Sequence, residues 1–458
     1  MRYLLLSFAT VMSNLGIVSA ENIKLIHDNM VYSEYIKSVQ VIVNGEISSA
    51  PILRLNSNDY FVIKFDDIEN IERDLFYRFI HCDRNWQKSN INEIDYVDGF
   101  NDDRLREFQF SINTKVAFTH YWARFPNRDF NFKISGNYIL YIYDKYDKEV
   151  PLLTRRIMVT EGLVTPAMRF VMPNDVSNMQ FKHQINVSVN VGKVRIINPM
   201  ASVTLSIIQN GNWRTGIYNL TPRFFANNEL TFDQFGEINF WAGREFRFFD
   251  TRTLMGRGIR LMEIDRSGRV TEAYTFPDDS RYNQPYLFRF DFNGNFFINN
   301  HDRPGFYDEN ISRPSNNRNI DSLKQVFTYR NFLQDGLYRP GESDLMSDYV
   351  YVNMTYKKKF EDGDLYIFGA LTDWQLLPEY KLDYDDYRGI YEGRFLFKQG
   401  YTEFQYVFVK DNEPDFISAE GSWQDTENDY TALIYMRQPT DIYDRLIGMG
   451  RINSLRNR

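Results

Sequence analysis

Apolar and polar residues alternate with a period of two along most of the chain. Ser38-Val-Gln-Val-Ile-Val-Asn-Gly45 reads as a strand running into a glycine turn, and Tyr60-Phe-Val-Ile-Lys-Phe-Asp66 follows a polar cluster at 56–59. Leu75 to Cys82, Asn137 to Tyr143 and Thr154 to Val159 repeat the pattern, each bounded by Gly, Asn, Asp or Pro. Short strands at this spacing predict a β-sandwich that ends near Glu161. Met168 to Met179, with Pro173, Asn174 and Asp175, reads as a linker. A second strand set opens at Phe181 to Asn190, where Ile185, Val187 and Val189 share one face. Ala201 to Gln209 and Tyr286 to Asp291 extend it, and Asn293-Gly294 signals a turn. From Asn299 to about Asp348 the pattern fades into a long loop or insertion, with a short helix expected over Ser322 to Leu333. Strands return at Asp348 to Tyr356, Asp364 to Gly369, Gly393 to Phe397 and Thr402 to Val409.

The expected fold is therefore all-β, with three tandem immunoglobulin-like β-sandwich domains at 21–161, 162–300 and 348–440. A loop or insertion at 301–347 and a loosely ordered tail at 441–458 complete the reading. A length of 458 residues suits about three domains of ~100–150 residues. The 38 Phe and 31 Tyr favour pleated surfaces and so strengthen the sheet reading. Residues 1–20 read as a secretory signal peptide: Arg2 gives a positive start, Leu4 to Val18 is mostly apolar, and Val18-Ser19-Ala20 offers small residues for cleavage. That apolar run is shorter than the ~20 residues needed to span a bilayer. No other segment is long enough, so no membrane insertion is expected. Cys82 is the single cysteine and excludes an internal disulfide, so core burial must stabilise each domain. The net charge of −8, with both signs interspersed, argues against a nucleic-acid partner and leaves no polybasic membrane patch.

Candidate chemistry is sparse. His81-Cys82-Asp83 holds the residue types of a thiol nucleophile and its base, but neighbours on a strand point to opposite faces, so Cys82 reads as an inert buried thiol. His27, His81, His120, His183 and His301 form no zinc spacing. Asp66-Asp67 and Asp383, Asp385 and Asp386 lack calcium-loop spacing and read as solvated turn residues. A glycosidase carboxylate pair is a spatial fact that no motif here favours. There is no nucleophile elbow, phosphate loop or dinucleotide fingerprint. No catalytic, cofactor-binding or metal-binding residue is assigned, and no cofactor is expected. One run suggests binding: Leu365 to Trp374, followed by Gly400 to Tyr406, is similar to starch-binding immunoglobulin-like modules. Trp374, Tyr401 and Tyr406 are the candidate glycan-stacking residues of an alternative reading, a periplasmic carbohydrate-binding protein. Core packing of the same residues is the competing explanation.

A wider likeness covers nearly the whole chain. Phe65-Asp-Asp67, Ile80-His-Cys-Asp83 with Trp86, Tyr96-Val-Asp-Gly-Phe100, Ser111 to Thr114, Thr119-His-Tyr121, Phe125-Pro-Asn127, Ser135-Gly-Asn-Tyr138 and Leu153-Thr-Arg-Arg156 carry it in the first domain. His183-Gln184, Gln209-Asn-Gly-Asn-Trp213, Gly243 to Asp250 and Asp291 to Gly294 follow. Gly369, Trp374, Lys398 to Tyr401 and Glu420 to Asn428 continue the series, and agreement is weakest over 300–347. In these runs the chain resembles the type IX secretion system plug family of Bacteroidota. The resemblance implies a non-enzymatic periplasmic protein, peripheral at the inner face of the outer membrane. Its implied partner is the large outer-membrane β-barrel translocon, whose periplasmic opening it seals to gate export. The resemblance transfers no catalytic residue, and the partner-binding residues stay unassigned.

Overall fold

The computed structural model describes residues 25–47, 50–146, 148, 150–232, 236–256, 258–302, 340–360 and 362–455. The expected signal segment and the helix expected over Ser322 to Leu333 lie outside the described residues, as does most of the expected 301–347 loop. The fold is all-β.

In the first domain two sheets face each other. One runs Met30–Val31, Pro151–Thr160, Gly136–Asp144, Leu75–Cys82 and Asp103–Arg104, with Ile52–Arg54 added parallel to Pro151–Thr160. The other runs Glu46–Ile47, Ile36–Val43, Phe61–Asp67, Thr119–Phe125 and Glu107–Phe110. Alternate residues Phe61, Ile63 and Phe65 meet Tyr77, Phe79 and Leu140 between the sheets, as a period of two requires. The other face of Phe61–Asp67 is also buried, including Lys64 and Asp66.

The second sandwich is built from two separate pieces of chain. One sheet holds Ala167–Val171, Lys182–Asn190, Glu229–Thr231, Phe224–Ala226 and Asn239–Trp241. The facing sheet orders Asn212–Leu220, Val203–Gln209, Asp429–Met436 and Arg445–Asn453. Ile185, Val187 and Val189 pack on Leu205, Ile207, Ala432 and Ile434. Residues 244–428 lie between the two pieces in sequence and form the third domain, which is thus inserted into the second. There a ten-stranded sheet among the described residues runs from Arg247–Asp250 through Gly400–Lys410 to Leu261–Asp265. It surrounds a core that includes Phe249, Val352, Ile367, Phe395 and Tyr406.

Four expectations need correction. The 441–458 tail contains Arg445–Asn453, paired along its length with Asp429–Met436. The linker expected at Met168 to Met179 begins as strand Ala167–Val171. The second domain does not run to 300, because Arg247–Asp250 and Phe296–Ile298 both pair with Gly400–Lys410 of the third. Tyr286 to Asp291 is irregular rather than a strand.

The chain crosses between the second and third domains twice, and hydrogen bonds lace the crossings together. The Trp423 N–H and Thr426 Oγ1 donate to the Gly243 carbonyl at 2.9 and 2.8 Å. Asn428 Nδ2 donates to the Ala242 carbonyl at 2.8 Å, and Arg247 Nε donates to Glu420 at 2.9 Å. The aromatic and Arg-rich run at 240–250 is the outgoing crossing, and 420–429 is the return.

Candidate functional site

The three aromatics of the glycan reading are core residues. Trp374, Tyr401 and Tyr406 are 4%, 9% and 0% exposed. Trp374 packs edge-on against Phe246 and Phe368 at 5.9 and 5.5 Å. Tyr401 stacks on Phe248 at 5.3 Å, and the Tyr406 hydroxyl donates to Asp278 at 3.1 Å. None offers an open ring face to a sugar, so the alternative reading loses the residues that carried it.

His81 and Cys82 diverge across their strand. The His81 ring nitrogens lie 2.8 Å from Ser89 Oγ and 3.1 Å from the Ser135 carbonyl, and burial pushes the imidazole down to about 4. Burial pushes the Cys82 thiol up to about 12, so it stays protonated and inert. Among the described residues, no group of three or more His, Cys, Asp or Glu could hold a metal ion. The expectation of solvated carboxylates at Asp66-Asp67 is wrong: both are buried at the end of strand Phe61–Asp67.

Asp66 instead sits where the first domain meets the third. Lys398 Nζ donates to Asp66 Oδ2 at 2.6 Å, Tyr349 Oη donates to the same oxygen at 2.7 Å, and His120 Nδ1 lies 2.6 Å from Oδ1. Lys64 pairs with Asp344 at 2.6 Å, and Lys398 also donates to the Asp344 carbonyl at 2.6 Å. Burial pushes the Asp66 carboxyl up, but Lys398 and His120 outweigh burial and hold it below the usual carboxylate range. Such charges persist in an interior only when paired and hydrogen-bonded. The first domain meets the second differently. Cys82, Trp86, Ile139 and Met158 form one apolar cluster with Ile208, Trp213, Leu433, Tyr435 and Leu446.

A cavity of about 350 Å³ opens where all three domains meet. Trp86 and Arg156 of the first domain, Trp213 of the second and Trp374 of the third line it. Trp86 and Trp213 meet edge to face at 5.2 Å, and the Arg156 guanidinium covers both rings, 4.6 and 5.0 Å from their centroids. Asp28 pairs with Arg156 at 3.1 Å, and Asp373 pairs with Arg155 at 3.0 Å. Burial holds Arg156 below and Asp373 above their ordinary ranges, each opposed by its partner. The rim ties every pair of domains together: Asn219 Nδ2 donates to Asn85 Oδ1 at 2.7 Å, Arg214 Nε to the Trp374 carbonyl at 2.9 Å, and Gln375 Nε2 to the Asn29 carbonyl at 3.4 Å.

Two tryptophans of this cleft, Trp86 and Trp374, carry left-handed backbones. Trp86, Asn219, Asp373 and Trp374 have φ of +61°, +57°, +53° and +57°. For a bulky residue this left-handed region is a genuine outlier, costing on the order of 1–3 kcal/mol, and such residues cluster at functional sites. Gly294, at φ +79°, passes so close to Trp374 that a Cβ would lie 2.8 Å from the ring, which ties the Asn293-Gly294 turn to the Trp374 position. Trp86, Arg156, Trp213 and Trp374 each fall in runs singled out in the sequence. Their convergence from three domains was not visible there, because no local pattern encodes it.

Residues 36–161 match the family model described as the type 9 secretion system plug protein 1st domain. The crystal structure of a hypothetical protein from Parabacteroides merdae ATCC 43184 is similar over 94% of this chain and 100% of that one, with a TM-score of 0.82 and 24% sequence identity. That likeness bears on the fold alone. No curated protein matches the chain.

Proposed function

We propose that this chain, whose residues 36–161 match the type 9 secretion system plug protein 1st domain, belongs to that plug family and is a non-enzymatic stopper that seals the periplasmic opening of the outer-membrane translocon and so gates export. The family match carries this reading, and the family is not an enzyme family. In this reading the protein sits in the periplasm against the inner face of the outer membrane. No helix of the described residues is long and apolar enough to cross a membrane.

The way the domains are joined supports a stopper. A pore seal must present a preformed surface, because ordering a flexible one at each closure would subtract from its affinity. Here buried ion pairs hold the first domain to the third, an apolar cluster holds it to the second, and two laced crossings hold the second to the third. Each contact reduces the freedom of the domains to hinge.

The test is affinity purification of the tagged mature protein from solubilised outer membranes, with mass spectrometry of what accompanies it. Recovery of one very large barrel near one-to-one, together with a leaky outer membrane in the deletion strain, is the expected result. Recovery of no barrel, or an unchanged leak in that strain, would sink the reading.

A further inference from the structure

We propose that the three-domain cleft at Trp86, Trp213 and Arg214 binds a carboxylate carried on a short peptide, either an acidic side chain or a chain end. The groups in the cleft that lack partners point to this chemistry. The indole N–H groups of Trp86 and Trp213 and Nε of Arg84 are buried and have no hydrogen-bond partner within the protein. All three are donors sealed in the wall of the cavity, so the wall is positive in character and favours an acceptor beside it. The charges agree. Arg84, Arg156 and Arg214 line the cleft against Asp28 and Asp373, and both carboxylates are already paired with arginines. Arg84 pairs with Asp444 at 3.4 Å. Arg214 has no carboxylate partner among the described residues. It stands exposed at the mouth, held by the Trp374 carbonyl and by Gln375 Oε1. A guanidinium positioned this way can grip a carboxylate through two parallel N–H groups.

Two rival ligands fit less well. A sugar needs an open ring face, and Arg156 already covers Trp86 and Trp213. A cation would find that place taken by the same guanidinium. The cavity of about 350 Å³ lies at the small end of the roughly 300–1,000 Å³ typical of ligand sites, a size for a side chain or chain end rather than a folded element. Asn85 and Asn219 at the rim carry amides suited to the peptide backbone beside that carboxylate.

The experiment is 15N-indole NMR of the full mature chain, whose six tryptophans give few signals. Trp86→Phe and Trp213→Phe assign the two of interest. The probes are N-acetyl-Ala-Glu-Ala-amide, N-acetyl-Ala-Ala-Ala with a free carboxylate, the same tripeptide as its amide, acetate and maltotriose. One or both carboxylate peptides should move the Trp86 and Trp213 indole signals, leave exposed Trp241 unmoved, and bind at least tenfold more weakly to Arg214→Gln. The first two probes distinguish an acidic side chain from a chain end. Equal response to the amide peptide, to maltotriose or to acetate alone would overturn the proposal. So would silence of both indoles, or full binding by Arg214→Gln, an exposed substitution that spares the core. Because the assay contains no barrel, its failure leaves the stopper reading standing, and loss of barrel co-purification leaves this site standing.

Discussion

On one side of the first domain, Cys82, Ile139 and Met158 press on Ile208, Leu433 and Leu446 of the second. On the other, Lys64, Asp66 and His120 meet Asp344, Tyr349 and Lys398 of the third. Both contacts are buried, yet they hold by different means. The apolar side is stabilised by area removed from water and tolerates small misfits. The ionic side depends on every charge finding its partner, because the desolvation cost is repaid only when all are satisfied. The first is adhesive without being particular, whereas the second admits one arrangement.

Removing a single partner should separate the two most sharply. Asp66→Ala leaves Lys398 and His120 facing each other in an interior, and a loss of about 3–5 kcal/mol is expected in urea unfolding. A loss under 1 kcal/mol would mean that water reaches the pair and that the contact is not dry. On the apolar side Leu433→Ala should cost roughly 2–5 kcal/mol, the range for a cavity in a packed core. Near-neutrality there would show the second and first domains to be loosely apposed.

Acid should attack the two sides in different windows. His81 lies against Tyr443 at 5.4 Å on the side of the second domain and titrates near 4 when folded, against 6.5 unfolded. The unfolded chain therefore binds the proton first. The stabilising contribution, about 3 kcal/mol, is complete above pH 6.5 and is lost as pH falls towards 4. Asp66 is held below its ordinary value of 3.8. Its contribution is present above that value and disappears only below it. Hydrogen exchange across pH 7 to 3 should open amides around Leu446 before those around Tyr349, and His81→Gln should flatten the upper window. The smallest effect expected is from replacing a whole ion pair: Lys64→Met with Asp344→Leu should be close to neutral, because the apolar pair escapes the desolvation cost that the ions carry. A marked loss would show that this pair contributes net stability of its own.

Most strands were legible because one face of each is buried and the period of two survives. Leu75–Cys82 and Lys182–Asn190 lie where alternation puts them. What alternation does not carry is the identity of the neighbour. Val203–Gln209 pairs with Asp429–Met436 more than two hundred residues away, and nothing local to either strand records that. Phe61–Asp67 shows a second blind spot. Asp66-Asp67 at its end read as solvated turn residues, but both are buried, and buried ions look like exposed ones in a sequence. Backbone strain is hidden for a similar reason, since Trp86 and Trp374 are held left-handed by distant packing and not by their own preference.

The order in which the chain is made gives the inserted third domain one more meaning. Asp429–Met436 and Arg445–Asn453 emerge only after all of residues 244–428. Until they do, Val203–Gln209 has an unpaired edge and the second core is missing half its wall. A chain cut short by stalled synthesis or proteolysis therefore cannot close the middle of the molecule. The last strands act as a completion check, so that only a finished copy becomes a rigid body.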